Sequence, residues 1–135
     1  MAGLGPMAGQ NGHFNHAAPE KIPYAIDRCE RETARLFAVL DKRLADRDFV
    51  AGTGRGEYSI ADIASDPWTV NYTRPKQNVD DFPNLRRWQG VIAARPATQR
   101  AYALVQTINP PKPEAPMTEE QRRMLYGQSA ATVNR

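Results

Sequence analysis

The sequence predicts an all-α protein on three observations. From Ile22 to Leu44, apolar or neutral residues recur in steps of three and four. Ser59 and Asp62 stand where a helix N-terminus needs an N-cap and a first-turn acid. No segment alternates convincingly between apolar and polar residues, as a half-buried strand does. Composition agrees with a folded domain: 135 residues suit one core, and 41% hydrophobic with 24% charged residues is close to soluble globular usage.

Residues 1–20 are rich in helix breakers, with Gly3, Gly5, Gly9, Gly12, Pro6 and Pro19. They read as a loop or a broken helix. A long amphipathic helix is predicted from about Pro23 to Leu44. Ile26, Cys29, Thr33, Leu36, Phe37, Leu40 and Leu44 mark its buried face, and Asp27, Arg31, Arg35, Asp41 and Lys42 fill the other. Pro23 suits the first turn, where a missing N–H costs nothing. Asp27 and Arg31 are spaced for a favourable surface pair of about 0.3 kcal/mol.

Gly52-Thr53-Gly54-Arg55-Gly56 superficially suggests a phosphate cradle. Glu57 stands where the nucleotide fingerprint needs its third glycine, and no Gly-Lys-Ser/Thr follows, so a flexible connector is expected. Tyr58-Ser59-Ile60-Ala61-Asp62-Ile63 then opens a helix. Ser59 and Asp62 form a capping box, and Tyr58 and Ile63 occupy the positions of a hydrophobic staple. Pro67 lies inside this helix and predicts a kink or an irregular turn.

A further helix begins near Pro83, with Phe82, Leu85, Trp88 and Ile92 on one face, and ends at Pro96. Pro96-Ala97 opens a short helix through Ala101, Leu104 and Val105. Residues 109–116, with four prolines, read as a stiff extended linker. Thr118 and Gln121 form a second capping box, starting a short helix that stops near Gly127. The predicted organisation is a helical domain over 1–107, a Pro-rich linker over 108–117 and a tail with a short helix over 118–135.

Charge and cysteine usage narrow the function classes. The net charge of +3 is a mild basic excess, and opposite signs interleave in Asp27-Arg28, Glu30-Arg31-Glu32 and Asp46-Arg47-Asp48. That pattern describes a solvated face; a nucleic-acid binder shows a one-signed stripe. A single cysteine, Cys29, rules out an internal disulfide and fits a reducing cytosol. No run reaches the roughly 20 apolar residues of a membrane span, and the first residues lack a basic leader.

Chemistry-bearing residues are few. Cys29 sits on the apolar stripe, where packing explains it better than nucleophilic chemistry. His13 and His16 are spaced to share a metal, but no further ligand cluster accompanies them, and no metal is expected. Phe14 and Asn15 suit a pocket wall or loop packing. Trp68, Tyr72, Trp88 and Tyr102 read as core more readily than as a ligand groove. Arg28 reads either as a solvated partner of Glu32 or as a carboxylate-binding fork at a pocket edge.

Taken together, the motifs resemble a known family. Tyr58-Ser59-Ile60-Ala61-Asp62-Ile63-Ala64 resembles the capping-box segment of the glutathione transferase C-terminal domain. Phe82-Pro83-Asn84-Leu85-Arg86-Arg87-Trp88, followed by Arg95-Pro96-Ala97, is similar to its later helix and turn. Gly3-Leu4-Gly5-Pro6-Met7, Gly9-Gln10-Asn11, His13-Phe14-Asn15-His16-Ala17-Ala18-Pro19 and Ile22-Pro23-Tyr24-Ala25-Ile26 resemble the bacterial nu class, which is similar to the yeast nitrogen-regulator prion protein and includes disulfide reductases.

The resemblance implies a helical bundle, glutathione as co-substrate with no metal, a small electrophile or disulfide as second substrate, a homodimer and a cytoplasmic location. It implies that Arg28 reaches glutathione, with Tyr24, Asn11 and Phe14 at the pocket edge, while Ser59 and Asp62 are structural. It also implies that Met1 falls inside the first helix of the domain. The thioredoxin-like domain that activates glutathione would then be absent, no catalytic residue would lie in the chain, and the chain alone would be inactive.

The competing reading is a standalone helical interaction module, without nucleic-acid or membrane binding. The reading frame upstream of Met1 discriminates the two: an in-frame thioredoxin-like segment supports the enzyme, a stop codon with its own ribosome-binding site the module. The face left without the second domain predicts an exposed apolar patch and self-association. Size-exclusion chromatography at high concentration should show species larger than a monomer; a clean monomer would count against the patch.

Overall fold

A computed structural model of the chain describes residues 3–71, 76–110 and 117–133. The chain divides into two compact units, Met1–Leu104 and Val105–Arg135. The first unit holds α1 (Leu4–Gly12), a π-helical turn (His13–Ala17), α2 (Pro23–Arg43), α3 (Ile60–Thr69), a 3-10 turn (Val79–Asp81) and α4 (Pro83–Ala93). α5 (Pro96–Ile108) begins in it. Helix α1 packs on α2 and α3, and α4 packs on the same two helices, closing a ring around the core. Among the described residues there is no strand, only an isolated antiparallel bridge between Ala51 and Glu57.

Of the two expectations for the glycine-rich start, a loop or a broken helix, the structure has helix, with α1 passing directly into the π-helical turn. Glycine in a helix interior costs roughly 1 kcal/mol against alanine. Here close packing offsets that cost. Gly5 is buried, and a Cβ on it would stand only 3.1 Å from the Trp68 ring. The missing side chain is what lets α1 approach α3.

Helix α2 follows its spacing. Pro23 occupies the first turn, and Cys29, Thr33 and Phe37 are buried. Lys42 and Arg43 in the last turn complement the negative end of the helix dipole. Phe37 and Leu44 meet Leu85, Trp88 and Ile92 of α4 in the hydrophobic core. Each such side chain contributes roughly 1.5–3 kcal/mol when fully buried. Phe82 closes over Phe37 edge to face, with ring centres 5.7 Å apart.

The ends of α2 and α4 cap one another. Asp41 of α2 accepts the Asn84 and Leu85 backbone N–H groups at 2.7 and 2.9 Å, satisfying donors at the start of α4. Arg87 of α4 donates to the Leu44 and Arg47 carbonyls at 2.6 and 2.7 Å, satisfying acceptors beyond α2. Likewise the Gln89 side-chain amide closes the end of α3 by donating to the Thr69 carbonyl at 3.0 Å.

The segment between α2 and α3 is a defined turn, where a flexible connector was expected. Gly52, Gly54 and Gly56 all adopt positive φ. A Cβ on Gly56 would collide with the Phe49 carbonyl at 2.4 Å, so only glycine fits. The Glu57 N–H donates to the Ala51 carbonyl at 2.8 Å, and Arg55 grips Asp48 through two bonds of 2.8 and 2.7 Å. Those bonds hold the Asp48 carboxyl below its usual range.

Both arms of the capping box at Ser59 and Asp62 form. Asp62 goes further than a surface cap. It is completely buried, and its carboxylate accepts from the Ser59 N–H, the Ser59 hydroxyl, the Val50 N–H and the Trp88 indole N–H at 3.0, 3.3, 3.0 and 2.9 Å. The staple is different from the expected one. Ile63 is 55% exposed, while Tyr58 meets the Phe49 ring edge to face and lies under the Arg95 guanidinium at 3.5 Å. Pro67 lies within α3, which ends at Thr69.

Helix α5 is longer than predicted and contains no buried residue. Its Tyr102 hydroxyl donates to Asp66 of α3 at 3.0 Å. Burial raises the Asp66 carboxyl above its ordinary range, partly offset by that bond, and burial together with Asp66 pushes the Tyr102 phenol up to about 12.

In the second unit, α6 (Glu119–Tyr126) starts at a complete Thr118–Gln121 capping box and stops at Gly127, as its sequence predicts. A further short helix, α7 (Ala130–Val133), follows. Residues 111–116 of the expected linker lie outside the described residues.

Replacing Asp62 by alanine leaves four donors without their acceptor, the buried Trp88 indole N–H among them, and should cost about 3–5 kcal/mol, against about 1 kcal/mol for Ser59→Ala. Urea unfolding should order the variants accordingly; equal losses would remove Asp62 from its central place. Asp66 contributes a pH dependence of its own. Its raised folded pKa means that the fold holds the proton longer than the unfolded chain. Stability from this group is therefore full in acid and is lost as pH rises from the ordinary aspartate range through the folded value. Asp66→Asn should flatten that part of the stability–pH curve, measured by thermal unfolding across the acid-to-neutral range.

Candidate functional site

The site expected from the sequence lies where α1 ends and α2 begins. Tyr24 and Arg28 stand one helical turn apart in the first part of α2, so they share a flank. Tyr24 is 78% exposed, and Arg28 is also exposed. The proposed Arg28–Glu32 pair is not the contact that forms. Arg35 takes both Glu32 oxygens at 2.7 Å and, through those bonds, holds the Glu32 carboxyl below its usual range; Arg28 adds a weaker, longer-range attraction. Among the described residues, no hydrogen bond or ion pair engages the Arg28 guanidinium. Its five donors therefore face outward on a helix flank beside an exposed phenol, an arrangement able to receive a carboxylate.

Phe14 is half-buried in the π-helical turn, its ring set edge to face against His13 at 5.3 Å. Asn11 is fully buried beneath the turn. Its side-chain amide donates to the Thr33 hydroxyl at 3.1 Å, and that hydroxyl donates to the Cys29 carbonyl at 2.8 Å. Asn11 thus lies in the interior, with no exposed surface. Cys29 is a buried free thiol on the same helix face.

The hydrogen bonds of three residues in this region were not legible in the sequence, although Asn15 was read as pocket wall or loop packing. Asn15 is buried and its amide donates to Asn11 twice, to Oδ1 at 2.7 Å and to the backbone carbonyl at 3.2 Å. Lys21 donates to the Asn15 carbonyl. Thr33 was assigned to the buried face, but not as a hydrogen-bond centre. The available signal was a polar residue at a position whose spacing demands burial, which requires a partner.

The other candidates separate. Trp88 is core, bound to Asp62, while Trp68 and Tyr102 are 37% and 42% exposed. Tyr72 lies outside the described residues. Ser59 and Asp62 are engaged in holding the fold. Among the described residues, no group of three or more His, Cys, Asp or Glu is placed to hold a metal ion, and no helix is long and apolar enough to cross a membrane.

The chain matches known proteins in sequence and fold. The family model for the C-terminal domain of glutathione S-transferase fits residues 7–96. The chain is 50% identical over 101 residues to the disulfide-bond oxidoreductase YfcG of Escherichia coli strain K12, covering 75% of this chain and 46% of that protein. It is 39% identical over 118 residues to the disulfide-bond oxidoreductase YghU of the same organism, covering 82% and 40%. Among solved structures, a glutathione transferase from Burkholderia graminis with two glutathione molecules bound per subunit superposes with a TM-score of 0.67 at 35% identity, covering 81% of this chain and 46% of that one. The chain spans about half the length, or less, of the curated relatives it matches.

Proposed function

The chain belongs to the glutathione S-transferase family through its C-terminal domain, and from that membership we propose that it serves as the helical half of a glutathione-dependent disulfide reductase or transferase. The observation that carries this reading is the exposed Arg28 guanidinium beside Tyr24, engaged by no hydrogen bond or ion pair among the described residues, in a chain half identical to a disulfide-bond oxidoreductase over 101 residues. The partner half would lower the thiol pKa of glutathione. The thiolate would then attack one sulfur of a disulfide, forming a mixed disulfide and releasing the other sulfur as thiolate, or attack an electrophilic carbon.

In this reading the helical half forms one wall of the second-substrate pocket and part of a homodimer interface. Arg28 receives a glutathione carboxylate through its planar fork, Tyr24 and Phe14 line the edge, and Asn11 holds the edge in place from within. The setting is cytoplasmic, with glutathione as co-substrate and no metal, nucleic acid or membrane involved. The described residues include no group proposed to activate a thiol, so the isolated chain is inactive. No observation specifically favours the rival reading of a standalone interaction module.

Glutathione titrated into the isotopically labelled chain should shift the Arg28 side-chain resonance saturably. Arg28→Ala should weaken this binding by about tenfold, the loss of one charge-assisted contact, while Arg31→Ala leaves it unchanged. A resonance that does not respond would refute the pocket assignment. Turnover of an aromatic electrophile by the purified chain should equal a thiol-only control, and any excess would overturn the proposed inactivity.

A further inference from the structure

We propose that Asn15, Asn11 and Thr33 form a one-way hydrogen-bond relay whose task is to position Phe14 relative to Arg28; the value of that positioning rests on the pocket reading above. The relay is continuous. The Asn15 amide donates to Asn11, the Asn11 amide donates to Thr33, and the Thr33 hydroxyl donates to the Cys29 carbonyl. Each of the two middle groups therefore acts as acceptor on one side and donor on the other. Such chains strengthen when all members are satisfied and weaken as a unit when one is lost.

The two ends explain the function. Asn15 follows Phe14 in the π-helical turn, and Cys29 follows Arg28 in α2. The relay thus ties the backbone one residue after Phe14 to the backbone one residue after Arg28, through the end of α1. Lys21 donates to the Asn15 carbonyl from the segment leading into α2, ahead of Tyr24. The turn bearing Phe14 is therefore held from both sides.

Simple stability is a poor reason for this arrangement. Asn11 and Thr33 have no exposed surface and Asn15 only 7%. Apolar residues of similar volume would fill such positions without requiring that every donor find its acceptor. Directional bonds add a defined register. A π-helical turn needs one, because its widened backbone is uncommon outside places where a side chain must be aimed. These three are positioning residues: they act through Phe14 and Arg28, without touching a ligand.

Thr33→Val keeps the shape of the side chain and removes the hydroxyl; Thr33→Ser keeps the hydroxyl. In the labelled full chain without any ligand, Thr33→Val should move the Phe14 ring and Arg28 side-chain resonances. It should also speed amide exchange across residues 13–17 by about tenfold beyond the change in global stability. Thr33→Ser should restore both to near the parent values. Lys21→Met, an exposed change that spares the core, should speed exchange over the same residues if Thr33→Val does not fold. The relay is overturned if Thr33→Val or Lys21→Met alters exchange only in step with global unfolding, or if Thr33→Ser behaves like Thr33→Val. Because no ligand is present, this outcome is independent of whether glutathione reaches Arg28.

Discussion

The buried Asp62 carboxylate is the interaction on which the rest of the fold depends. One side chain accepts from the start of its own helix, from Val50 in the preceding turn and from the Trp88 indole at the centre of α4. A buried carboxylate is tolerable only when its lone pairs are filled, and here four donors fill them. The result joins the α2–α3 connection, the start of α3 and the core face of α4 at one point. The glycines of residues 52–56 matter for the same reason. Their positive φ values allow the chain to turn back tightly enough for Val50 to reach Asp62.

Around that point the molecule is held by polar contacts at its helix ends and apolar contacts between them. Phe37, Leu44, Leu85, Trp88 and Ile92 supply the non-directional burial. Asp41 and Arg87 make α2 and α4 satisfy one another's ends, which fixes their relative position more sharply than apolar packing does alone. The end of α1 and the beginning of α2 follow the same logic, with Asn11, Asn15 and Thr33 inside and Tyr24 and Arg28 outside. A hydrogen-bonded interior beneath an exposed cation is the arrangement that the proposed pocket edge requires.

Local signals carried most of the helix map. Pro23, the three–four spacing behind it and the box at Ser59 and Asp62 each act within a few residues, so they are visible in a linear chain. Signals that depend on a distant neighbour misled. Gly5 reads as a breaker until Trp68 is known to lie against it. Arg28 is a local case instead: of its two readings, the pairing with Glu32 gives way because Arg35, three residues beyond that carboxylate on the same helix, takes both oxygens. Tyr58 and Ile63 have the spacing of a staple, yet Arg95 and Phe49 hold Tyr58 instead.

By itself, then, the sequence determined the helical class, the main helix starts and, through its motifs, the family. It also placed Tyr24 and Arg28 on one flank, because helical periodicity alone does that. Tertiary structure decided which polar residues are buried and which are available. Asn11, a pocket candidate by resemblance, became an interior support, and Asp62, a surface-type cap by motif, became the buried junction of three segments. The physical reason is that a hydrogen-bond donor or acceptor is defined locally, but its partner and its exposure are set only when distant parts of the chain pack together.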